Sequence, residues 1–187
     1  MSQPARAVAA LAAILLPAHA LLALHFRDAP PARVTGGFGE DSCAACHFGN
    51  PLNEGGGALT LAGFPERFEP GEAYKLELTL DRAGLKAAGF QLAVRAADGI
   101  TQAGRIELPA AEDASVAILE ERGVQFAHQK TVSAPPAGET AVRWPVTWIA
   151  PETTAAVTLH ASAVAGDGAE SQAGDFVYTL ERVATSP

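Results

Sequence analysis

Residues 74–80 read YKLELTL, and their alternation decides the fold. Tyr74, Leu76, Leu78 and Leu80 fall on one parity, Lys75, Glu77 and Thr79 on the other. A period of two, apolar against polar, marks a strand with one face buried and the other wet. GFQLAVRAA, residues 89–97, follows after a loop and is expected to pair with it as the next strand of a meander. Working outward, strands are expected at AGRIELP (103–109), SVAIL (115–119), GVQFAHQ (123–129), AVRWPVTWI (141–149), AAVTLHASAV (155–164) and GDFVYTLERV (174–183). Breaks rich in Pro and Gly, SAPPAGET and GDGAESQAGD, separate the later ones. Short strands with turn signals between them, and no amphipathic helix, predict an all-β antiparallel sandwich over residues 58–183. Trp144, Val146 and Trp148 share a parity, so one face carries both tryptophans, and Pro145 belongs at an edge or a bulge.

Upstream of the sandwich the pattern is different. Residues 27–57 contain APPA, TGG and EGGG, which oppose long helices and strands. A single helical turn is expected around DSCAACHF, with Asp41 or Ser42 as its N-cap. The first residues carry one positive charge near the start, Arg6, and an apolar run from Ala7 to Leu16. Pro17 and the small-x-small triplet Ala18-His19-Ala20 come next, so residues 1–20 read as a secretory signal peptide. The alternative is an uncleaved anchor extending to Phe26, because about 20 apolar residues are enough to span a bilayer. Either way the rest of the chain is expected outside the cytoplasm, periplasmic or secreted by a bacterium. A net charge of −8 without any Lys/Arg cluster excludes a nucleic-acid partner. Contact with a membrane is expected only through the N-terminal anchor.

The chain's two cysteines, Cys43 and Cys46, stand three positions apart with His47 directly after the second. C-x-x-C-H is the spacing of c-type haem attachment. Each thiol can add to a vinyl group on adjacent pyrroles of one porphyrin, and the histidine is then held beneath the iron as its proximal ligand. Export points the same way, because c-haem is attached outside the bacterial cytoplasm. Two other chemistries suit a pair of thiols. One is a disulfide, structural or redox-active, although a thioredoxin-like site needs a βαβ setting that this chain lacks. The other is zinc, which the adjacency of Cys46 and His47 disfavours, since neighbouring residues seldom point at one metal. The expected cofactor is therefore one covalent haem c.

Candidates for a second, distal iron ligand are His25, His128, His160, a lysine, water or none at all. Met1 is the only methionine and leaves with a cleaved signal. His160 shares the polar parity of its strand with Thr158 and Ser162 and is expected to face solvent. His128 shares parity with Val124 and Phe126 on the apolar side, which makes it the preferred distal candidate.

TGGFGEDSCAACH, FEPGEAYKLELTL, AAGFQLAVRAADG, FAHQ, WPVTWIAP and VTLHASAVAGDG…GDFVYTLE, in that order, resemble Reeler-like bacterial secreted proteins, some of them called choice-of-anchor V domain proteins. The resemblance runs from residue 35 to residue 180. It implies a haem-type C-x-x-C-H near the start of an Ig-like sandwich, and a histidine ahead of the tryptophan strand, where His128 stands here. The family's usual C-terminal anchoring signal has no counterpart in ERVATSP.

No nucleophile elbow, His-Glu-x-x-His or phosphate loop is present, so an electron carrier is expected rather than an enzyme. Its redox partner would be another protein. The competing expectations are an extracellular binding or adhesion module with a Cys43–Cys46 disulfide, and peroxide or gas chemistry at an open iron.

Overall fold

A computed structural model describes residues 29–108, 115–153 and 155–186. The expected signal peptide or anchor lies outside the described residues. The strands are β1 (Phe48–Gly49), β2 (Gly57–Ala62), β3 (Ala73–Arg82), β4 (Ala87–Ala96), β5 (Arg105–Glu107), β6 (Val116–Glu121), β7 (Val124–Gln129), β8 (Ala141–Ile149), β9 (Val157–Gly166) and β10 (Ala173–Ala184). They form two sheets, one of six strands in the order β1-β10-β9-β4-β7-β6 and one of four in the order β2-β3-β8-β5. All neighbours are antiparallel except the short β1, which runs parallel to β10. This is the β-sandwich that the alternating segments predict.

The core lies between the sheets. Leu76, Leu78 and Leu80 of β3 sit in register with Val146, Trp144 and Val142 of β8, and all six are buried. Trp144 stacks on Phe90 of β4 with ring centroids 4.6 Å apart, and its Nε1 donates to Ser133 Oγ at 3.0 Å. Trp148 packs among Phe64, Phe68 and Tyr74 and donates Nε1–H to Ala103 O at 2.9 Å. Both indoles thus bury a large apolar surface while keeping their polar atom satisfied. Among the described residues β5 pairs with β8 only over residues 147–149, so no described strand bonds to Pro145 on that side, as a residue without an N–H requires.

The expected meander between 74–80 and 89–97 is not formed. β3 pairs with β2 and β8, whereas β4 lies in the other sheet between β9 and β7. β4 differs from β3 in being buried on both faces from Ala88 to Arg95. Its Phe90, Leu92 and Val94 face the core, and Gln91, Ala93 and Arg95 lie on the opposite parity and are equally buried. A strand of that kind belongs in the interior of a covered sheet, and the six-stranded sheet has such a cover. β2 is an edge strand paired with β3 whose half-buried Leu59 and Leu61 alternate with exposed neighbours.

Trp144→Ala should destabilise the folded state by about 3–5 kcal/mol, the cost of emptying an aromatic core site. Equilibrium unfolding in denaturant checks the figure, and a loss below about 1 kcal/mol would contradict this core.

Candidate functional site

What covers the outer face of the six-stranded sheet is the segment expected to be irregular. Residues 31–47 lie across β4, β9 and β10 as a strap. Gln91 holds it at two points, accepting from Val34 N at 2.7 Å and donating Nε2–H to Pro31 O at 2.8 Å. Cys43 N donates to Ser162 Oγ at 3.1 Å. Glu40 forms an ion pair with Arg95 in which both side chains are almost wholly buried, at 2% and 3% exposure. Arg33 approaches the same Glu40 carboxylate at 3.5 Å from the surface. Phe38 packs edge-on to the His160 ring at 4.6 Å, with the Arg95 guanidinium 4.5 Å from its own centroid. The glycines of TGG are needed for this contact. A Cβ on Gly37 would fall 2.0 Å from His160 Cγ, and Gly36 has a φ of +77°.

Within the strap, Ser42 is the N-cap of a 3-10 turn, Cys43–Ala45, and its Oγ accepts from Ala44 N at 3.2 Å. The turn puts the two thiols in opposite surroundings. Cys43 points into the sheet and is buried; Cys46 is exposed, and both are free. Burial raises the Cys43 thiol from 9.0 to about 11, partly offset by hydrogen bonds from Ser162 and its own backbone. Cys46 opens onto a cleft of about 440 Å³ lined by Pro31, Arg33, Val34, Glu40 and Asp41 among others.

His47 is fixed from two sides. Its N–H donates to Cys43 O at 2.9 Å, closing the turn, and Phe48 N donates to Gln172 O at 3.1 Å to begin β1. Its Nδ1 lies 2.6 Å from Asp175 Oδ2 at the start of β10, a carboxylate that is 9% exposed. Asn50 braces that stretch of β10 by donating to Gly174 O and Asp175 O. A carboxylate on Nδ1 makes that nitrogen the donor and leaves Nε2 as a lone-pair site, with no intramolecular partner among the described residues. Histidines that ligate metals are oriented in this way. Asp175 was not legible as a site residue: it is 128 positions from His47, in what reads as an ordinary loop-to-strand junction.

His128 is not brought to His47. Across the sheet the register runs Thr179, Ser162, Gln91, His128, which puts His128 on the same outer face but on β7. From β10 that is three strand intervals, or roughly 14 Å at about 4.8 Å each. His128 is buried, and its Nδ1 lies 2.7 Å from Gln129 O. His160, expected in solvent, is instead half-buried beneath the strap, with Nε2 3.1 Å from Glu181. The parity was right, but that face is covered. Among the described residues no three His, Cys, Asp or Glu side chains converge to hold a bare metal ion. A porphyrin iron needs less, since four of its ligands are the macrocycle's own. Toward such a group Cys46 is exposed and Nε2 of His47 is free, whereas Cys43 is buried under the strap.

No family model matches the chain, and no curated protein matches it by sequence. Among solved structures it is similar to the Reelin-N domain of F-spondin, at 20% identity over 73% of this chain and 91% of that one, with a TM-score of 0.52. The human F-spondin reeler domain aligns at 21% identity over 73% and 94%, with a TM-score of 0.47. A cohesin module from a family 33 glycoside hydrolase of Clostridium perfringens gives 12% identity over 70% and 96%, also at 0.47. At these identities the likeness is one of fold: the chain carries a Reeler-like β-sandwich.

Burial holds the His160 pKa below its ordinary value, and Arg95 adds to this, while Glu181 and Glu40 pull the other way. A histidine depressed in the folded state contributes stability that is complete above its unfolded pKa of about 6.5 and lost as pH falls below it. His160→Gln should therefore flatten the decline in stability between pH 7 and pH 5, measured by denaturant unfolding at each pH. An unchanged slope would contradict a buried, neutral His160.

Proposed function

We propose that this protein is an exported mono-haem carrier of electrons, with haem c attached through Cys43 and Cys46 and His47 Nε2 as the proximal iron ligand. The observation that carries the reading is the 2.6 Å contact between His47 Nδ1 and Asp175, next to a C-x-x-C pair. It gives the histidine the tautomer and the fixed orientation that iron ligation needs, from a carboxylate held at the start of β10. Two thioether links replace a deep pocket, which suits a site built on a loop at the surface of a sandwich. When bound, the haem would supply reversible one-electron chemistry at iron. The protein's share is to hold the imidazole, to tune its basicity through Asp175, and to keep the Cys46 side of the group at the surface. Electrons would pass through that exposed side to a protein partner. The fold itself is silent on function, because sandwiches of this kind serve many unrelated purposes.

A second reading, small-ligand chemistry at an iron with one protein ligand, draws support from the distance that separates His128 from His47. Carbon monoxide shifting the reduced spectrum at stoichiometric concentration selects it. An inert, low-spin iron selects the electron carrier.

Protein exported by a host that attaches c-haem should show the α-band of a reduced c-type haem after addition of a small donor. His47→Ala should keep the covalent haem and lose the low-spin spectrum. Asp175→Asn should raise the reduction potential, because a less basic imidazole stabilises ferric iron less. Potentiometric titration reads this, and a potential unmoved by Asp175→Asn would contradict the role given to Asp175. A colourless product would overturn the reading altogether.

A further inference from the structure

The two thiols of one motif sit on opposite sides of the strap, and only one of them is reachable. Most of what holds the strap down is contact with polar side chains: Gln91, Ser162, Arg95 and Asp175 bond or ion-pair to it, and His160 meets Phe38 edge-on. Only Ala32 and Phe38 pack on a small apolar patch of Ala93, Val124 and Phe126. A face of mostly polar groups with one small apolar patch costs less to uncover than the continuous Leu and Trp face behind it, because its polar groups regain water. The strap is therefore the part of the molecule that can open without dissolving the core, a local unit of low stability laid on a sheet of high stability. Its ends suit that role. Residues 31–47 form no strand, and among the described residues the two-residue β1 is the only strand pairing just past their C-terminal end.

We propose that residues 31–47 lift from the six-stranded sheet as a unit, and that Cys43 is modified only from the lifted state, while Cys46 is open to reagents in the closed one. Attachment at the motif would then be ordered, Cys46 before Cys43. The inference rests on the haem reading only for what is added to the sulfurs. Each addition forms one S–C bond and places the thiol hydrogen on the other vinyl carbon, so that no oxidant or leaving group is involved.

The test uses the full chain in its haem-free form, with iodoacetamide as the probe and peptide mapping by mass spectrometry as the readout. Each thiolate displaces iodide, and the two sites are followed separately. Cys43 should react at least about 100-fold more slowly than Cys46, because its side chain is buried beneath the strap and is reached only when that segment opens, whereas Cys46 is exposed. Its rate should rise with urea less steeply than global unfolding does. Gly37→Ala, which drives a Cβ into the His160 ring, and Glu40→Gln, which breaks the buried pair with Arg95, should each speed Cys43 at least about tenfold and leave Cys46 unchanged. Cys43 keeping pace with Cys46, tracking global unfolding, or ignoring both variants would overturn the strap. A haem-free exported protein would not alter any of these rates, so failure of the haem reading is distinguishable from failure of this one.

Discussion

Gln91, Arg95 and Ser162 lie on the outer face of the six-stranded sheet, yet they are as deeply buried as the leucines on its inner face. The strap over them is the constraint on which the rest depends. It converts an open sheet into one covered on both sides, and it fixes the C-x-x-C-H motif in space by tying Cys43 N to Ser162 and Glu40 to Arg95. The ion pair is not a simple gain in stability. Withdrawing both charges from water costs several kcal/mol each, and Arg95 Nε is left without a partner. With one partner removed the other charge is left buried and unpaired, so loss of either side chain costs more than the pair itself contributes.

Much of this could be read in the chain. The alternation in YKLELTL gave β3 its faces, and the shared parity of Trp144, Val146 and Trp148 placed both indoles in the core. Most strands lie where their segments predicted, because a period of two survives any choice of partner. Partner choice itself is not encoded in that period. β3 and β4 are consecutive and separated by a loop of four residues, 83–86, yet they belong to different sheets. The one hint was the lack of alternation in GFQLAVR, where Gln91 and Arg95 interrupt an apolar run and are nonetheless buried.

The three motif residues of the candidate site form a local pattern, and the residues that support them do not. The spacing of Cys43, Cys46 and His47 is a local signal, and so is the capping serine at position 42. Asp175, Ser162 and Arg95 reach the motif only through the fold, from strands far along the chain, and no local pattern marks them. His160 shows the same limit from the other side: its parity was correct, and its environment depended on a segment more than a hundred residues upstream. His128 was read as apolar, which it is, but the apolar side it shares with Val124 and Phe126 is the strap-facing one, not the inter-sheet core.

The site that emerges is an imidazole held by a carboxylate, flanked by one open thiol and one covered thiol, on a Reeler-like sandwich. Intact-mass spectrometry of the protein produced in a host that attaches c-haem tests its central chemistry most directly. The account predicts a mature chain heavier by one haem, with the added mass mapping to the peptide that contains Cys43 and Cys46. A chain of bare polypeptide mass, its thiols free or joined to each other, would contradict it.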